Sequence, residues 1–68
     1  MISYKPLWKT LIDKDIQQKD LAVICDLTRQ TVLDMKNNRH VSMKTIEKIC
    51  KTLNCSIPDI IEYISDND

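Results

Sequence analysis

Sixty-eight residues make one small domain, whose core is marginal by surface-to-volume scaling. Ten Lys and Arg balance ten Asp and Glu, and a net charge of zero is by itself poor evidence for a nucleic-acid partner. The chain has no Gly, which excludes a glycine-rich phosphate loop, and its three Cys, an odd number, argue against a disulfide framework.

The elements read in order as short helices. The first begins near Pro6, a residue suited to a first turn, and runs to 13–15 with Leu7, Trp8, Leu11 and Ile12 at helical spacing. The second spans about 17–25 and turns Leu21, Ala22, Ile24 and Cys25 inward, leaving Val23 outside. Asp26 and Leu27 form a turn. The third helix spans 28–36, with Val32 and Met35 inward and Leu33 off the inward face; Asn37 and Asn38 end it, since Asn tolerates left-handed geometry. The fourth carries Ile46, Ile49, Cys50 and Leu53 on one face. A fifth, short helix is expected over 58–64, with Ile60, Ile61 and Ile64 apolar, and residues 65–68 are expected to fray.

Start signals recur along the chain. Gln17, Thr28, Ser42 and Ser56 are candidate N-caps, with Asp15 an alternative to the weak Gln17. Each is bracketed by an apolar pair, Ile16/Leu21, Leu27/Val32, Val41/Ile46 and Cys55/Ile60, in the hydrophobic-staple arrangement. Ser56 with Asp59 resembles a capping box. Strand signals are absent, so the expected fold is all-α, in a single domain over 1–68. No segment reads as membrane-spanning and no signal peptide is expected, which points to the cytoplasm.

Charge is unevenly placed. Residues 17–44 hold five basic and three acidic side chains, whereas 59–68 hold four acidic and none basic. Phosphate contacts would therefore come from the middle of the chain. The segment 17–36 reads as two short helices joined by a tight turn, the second offering Arg29 and Gln30 at its start. That arrangement suits insertion into the DNA major groove. Arg bridges guanine O6 and N7, and Gln bridges adenine N6 and N7. Asp34 could accept from cytosine N4. Thr28 serves as a cap and could also meet a phosphate or base. Gln18, Lys19, Thr31, Lys36, Asn38 and Arg39 are the candidate phosphate contacts. Cys25, Cys50 and Cys55 sit at apolar positions without metal-ligand spacing, so buried free thiols are expected. No catalytic constellation is present; neither enzyme activity nor a cofactor or metal is expected.

The residues IQQKDLAVICDLTRQTVLDMKNNRHVSMKTIEKICKTLNCSIPDI resemble the Cro/C1-type helix-turn-helix family of bacterial and phage regulators, and YKPLWKTLIDK resembles its small stand-alone branch. The most specific stretches are Leu21-Ala22, the L-T-x-x-T-V run from Leu27, and the segment from Ile49 to Ile60. The resemblance implies a compact five-helix bundle of the lambda-repressor-like type, with helix three reading DNA. It implies base contacts from Thr28, Arg29, Gln30 and Asp34, and phosphate contacts from Gln18, Asn38 and Arg39. Asp26 stands where the family's turn usually has Gly.

The resulting expectation is a sequence-specific double-stranded DNA-binding regulator, a repressor acting as a homodimer on a palindromic operator. The apolar Ile60, Ile61, Tyr63 and Ile64 would form the dimer interface. The alternative is a protein-interaction module on the same fold, of antitoxin or phage-encoded inhibitor type.

Overall fold

The structure is a computed structural model that describes residues 1–65. Its elements are β1 (Ile2–Ser3), α1 (Lys5–Asp13), α2 (Gln18–Ile24), α3 (Arg29–Lys36), α4 (Met43–Leu53), a 3-10 turn (Ile57–Asp59) and β2 (Glu62–Tyr63). Among the described residues no helix is long and apolar enough to cross a membrane. The fraying expected for 66–68 lies outside the described residues.

Helical spacing builds the core. Leu7 and Leu11 of α1, Leu21 of α2, Val32 and Met35 of α3, and Ile46, Ile49 and Leu53 of α4 lie three or four residues apart on inward faces and are buried. Tyr4, Cys25 and Ile60 complete the cluster. Two residues expected inside are outside. Ile24 is 44% exposed because Cys25, one turn beyond Leu21, takes the inward position at the end of α2. Ile12, in the last turn of α1, is 76% exposed beside the buried Leu11.

Side-chain caps start α3 and α4. Thr28 Oγ1 accepts from the Thr31 N–H at 3.1 Å, and Ser42 Oγ from the Thr45 N–H at 3.2 Å. Gln17 caps α2 by backbone position alone, without a side-chain bond. Asp15 is not that cap. It sits at φ 58°, two residues past the end of α1.

All four helices end the same way. Asp15, Asp26, Asn38 and Asn54 are left-handed, with φ between 53° and 58°. In each case the next N–H reaches back five residues: Ile16 to the Leu11 carbonyl, Leu27 to Ala22, Arg39 to Asp34, at 2.8 Å each, and Cys55 to Cys50 at 3.0 Å. This is the Schellman ending, and a chain without glycine makes it with Asp or Asn, whose short polar side chains bear the left-handed region best.

The fifth helix does not form. Pro58 opens only a 3-10 turn, held where the Ser56 N–H donates to Asp59 Oδ2 at 3.0 Å. The β-branched Ile60 and Ile61 then favour leaving the helical region. Glu62–Tyr63 instead pairs antiparallel with Ile2–Ser3, Ile2 opposite Tyr63 and Ser3 opposite Glu62. The Met1 amine donates to the Ile64 carbonyl at 3.1 Å, and the Ile64 N–H returns a 2.8 Å bond to Met1. A small ribbon thus joins the first residues to 62–64. Ile60, expected on an outer patch, is wholly buried in the core cluster.

Candidate nucleic-acid interface

The turn between α2 and α3 sets the outward face. Left-handed Asp26 reverses the chain within two residues. Lys48 of α4 donates to the Asp26 carbonyl at 3.2 Å, placing a cation at the negative end of α2. Thr28 then caps α3, and its hydroxyl also pairs with that of Thr31 at 2.9 Å. With Val32 and Met35 held in the core, Arg29 and Gln30 must face solvent on the first turn, and both are exposed.

Asp34, one turn along, is the hub of this face. Its Oδ1 accepts from Gln30 Nε2 at 2.9 Å and lies 3.6 Å from Arg39 Nη1. The Arg39 side chain is 67% exposed, so the pair is a weak surface ion pair that a phosphate can displace. Gln30 and Arg39 are therefore held near each other by one carboxylate.

The loop after α3 is anchored from below. The Tyr4 hydroxyl donates to the Arg39 carbonyl at 2.7 Å, and the Tyr4 N–H donates to Asn38 Oδ1 at 3.3 Å. Burial, opposed by a bond to the Val41 backbone and aided by the Asp34 charge, raises the Tyr4 pKa. The ring is fully enclosed. Tyr4 thus clamps residues 38–41 to the start of α1.

Beside this network, α2 and α3 enclose an open groove of about 420 Å³ lined by Gln18, Lys19, Val23, Arg29, Leu33 and Lys36 among others. Three cations line it and no carboxylate does. The neutral net charge of the chain is thereby resolved into a locally basic surface across α2 and α3.

A family model of the Cro/C1-type HTH DNA-binding domain matches residues 6–66, nearly the whole chain. The chain belongs to the Cro/C1-type helix-turn-helix DNA-binding family. Among solved structures, the crystal structure of transcriptional regulator VanUg, form II, is similar at 35% identity, with a TM-score of 0.91, over 96% of this chain and 87% of that one. No curated protein matches.

The Cro/C1-type domain brings most of the sequence-derived positions to one side. Arg29, Gln30 and Asp34 share the outer face of α3, with Thr28 at its cap and Arg39 joined to Asp34. Gln18, Lys19 and Lys36 line the neighbouring groove. Thr31 is half-buried and spends its hydroxyl on Thr28. Asn38 uses its side-chain oxygen on Tyr4 and its backbone in the left-handed turn. Of the apolar group at the other end, Tyr63 is 75% and Ile64 37% exposed, Ile61 is half-buried, and Ile60 is not at the surface. Sequence reasoning missed Tyr4 as a positioning residue. A lone Tyr ahead of the first helix carries no spacing signal that would tie it to residue 39.

Proposed function

We propose that this Cro/C1-type domain is a sequence-specific regulator of transcription, a repressor that reads the major groove of double-stranded DNA with α3. The observation that carries this reading is the capped first turn of α3. It presents Arg29 and Gln30 to solvent beside a groove that holds Lys19 and Lys36 and no carboxylate. Arg29, Gln30, Asp34 and Thr28 are assigned to base edges. Gln18, Lys19, Thr31, Lys36, Asn38 and Arg39 are assigned to phosphates. The Asn38 and Thr31 side chains, already engaged inside the protein, contribute by exchanging partners. The reading requires no catalysis and no cofactor.

One copy offers a single short helix, so a homodimer on a palindromic operator is the natural form, with half-sites about 34 Å apart or a multiple of that. Ile61, Tyr63 and Ile64 on and beside the ribbon supply the apolar contact, and the outer edges of the two short strands lie next to them.

Selection of sites from random duplex DNA at moderate salt tests the reading. A consensus with two-fold symmetry is expected, bound with a steep inverse dependence on salt. Arg39→Ala is expected to reduce the log–log salt slope by about one unit. Sedimentation of the wild type and Ile61→Glu at tens of micromolar, with and without the selected duplex, tests the pairing. Monomers throughout would exclude it. A second reading, a protein-interaction module on this fold, draws on the neutral net charge and the exposed Val23 and Leu33. Failure to retain any duplex even at low salt would favour that module.

A further inference from the structure

The four helix endings share one geometric property. At each, the residue just beyond the left-handed one donates its N–H to the carbonyl five residues back, which sets those two residues beside each other. The pairs are Leu11 with Ile16, Ala22 with Leu27, Asp34 with Arg39, and Cys50 with Cys55. The first two pairs are apolar. The third is the 3.6 Å ion pair already described, which shows how closely this ending brings side chains together. In the fourth, the Cys50 and Cys55 thiols lie within hydrogen-bond reach of each other.

Backbone geometry bounds the fit. The 3.0 Å bond from the Cys55 N–H to the Cys50 carbonyl, continued through standard bond lengths, holds the two Cα atoms within about 7 Å even if every bond were collinear. The bent path of a real turn shortens that distance, and a disulfide spans roughly 4.4–6.8 Å. Both residues are half-buried and free, whereas Cys25 is enclosed in the core.

We propose that Cys50 and Cys55 form a dithiol that closes to an intramolecular disulfide with small-molecule disulfides or other two-electron oxidants. With oxidised glutathione, one Cys thiolate attacks a glutathione sulfur and expels one glutathione thiolate. The second Cys thiolate attacks the resulting mixed disulfide at the protein sulfur and expels the other. The protein loses two protons and two electrons, and one glutathione disulfide takes them up to become two glutathione thiols. The bond would tie the end of α4 to the 3-10 turn that leads into β2. It would leave α2 and α3 unaltered. Burial raises the Cys55 thiol above its usual range, with the neighbouring Cys50 and Asp59 adding to it, so exchange should quicken as pH rises.

The test is to equilibrate the full chain with oxidised glutathione at pH 8 and measure intact mass, free thiols and peptide linkage. The expected product is 2 Da lighter, keeps Cys25 as its one free thiol, and links Cys50 to Cys55 in a digest. Its melting temperature is expected to rise by several degrees, because a short covalent loop restricts the unfolded chain. Cys50→Ala and Cys55→Ala should each give a glutathione adduct and no 2 Da loss. Accumulation of the adduct in the wild type, linkage through Cys25, a disulfide between two chains, or three thiols left intact would each overturn the proposal.

Discussion

The two halves of the bundle are built to different rules. In α1 and α4 the buried stripe runs the length of the helix, through Leu7 and Leu11 in one and Ile46, Ile49 and Leu53 in the other. The shorter α2 and α3, seven and eight residues, have only Leu21 in one and Val32 and Met35 in the other, with Cys25 just past the end of α2. None of these helices, at seven to eleven residues, is stable in water alone, so each depends on its buried contacts. The reading half is held in place by few anchors, and nearly everything else it has faces outward. Substitutions there should separate cleanly into those that unfold the domain and those that alter only what it binds.

The largest effect expected is at an anchor. Met35→Ala, at a fully enclosed site, should cost about 2–5 kcal/mol. That is much of the margin of so small a domain, and a urea melt measures it. A loss below about 1 kcal/mol would mean that α3 is held by something other than its two buried side chains.

Next comes Arg29→Ala, which tests the outward side of the same helix. Stability should stay within about 0.5 kcal/mol of wild type. Binding to the preferred site should weaken by about 1–3 kcal/mol, with preference relaxed at one base pair. Equal weakening on every duplex would reassign Arg29 to phosphate.

Tyr4→Phe crosses the boundary between the halves. It removes the hydroxyl bond to Arg39 while filling the same space, at a cost of about 1 kcal/mol in a melt. Duplex binding should weaken alike on preferred and scrambled sequences, and amide exchange should quicken at residues 38–41. Because its pKa is raised, Tyr4 contributes stability in full below the ordinary tyrosine range, about pH 10, and loses it as pH climbs through the raised value. The Phe variant should therefore show less alkaline destabilisation than wild type.

The smallest change is a gain. Asp26→Gly relieves a left-handed non-glycine residue and removes a carboxylate from the negative end of α2. Offset by the freer unfolded chain, the net should be a stabilisation of about 0.5–1 kcal/mol, read as a higher melting temperature with the duplex preference unchanged.

What the sequence disclosed follows from distance along the chain. Thr28, Ser42, Asn38 and the pair Ser56/Asp59 act on neighbours three to five residues away, and their roles are legible because the chemistry is local. Arg29 and Gln30 are legible for the same reason, since the spacing of Val32 and Met35 dictates which side of α3 is left. The ribbon is not. Two-residue strands carry no alternation, and Ile2 finds Tyr63 only after every helix has been placed. Nor is the burial of Ile60 legible, since it looks like its exposed neighbours Tyr63 and Ile64 in any local window. Tyr4 and Arg39 meet across the bundle for reasons of packing that no spacing rule records. The exposure of Ile24 and Ile12 reflects helix ends, where one residue of drift moves a side chain from core to water.

The ribbon also sets an order of assembly. Contacts within and between consecutive helices close short loops, and such loops form fast. The bond between Met1 and Ile64 closes nearly the whole chain, at the largest loop-closure entropy the molecule offers, and only a pair of two-residue strands rewards it. It should be the last contact made during folding and the first lost on warming. Native-state hydrogen exchange would then place Ile64 in a separate opening unit of low free energy, below that of the helices. The surface proposed for self-association would in that case come and go on its own clock, while the helices proposed to face DNA stay folded.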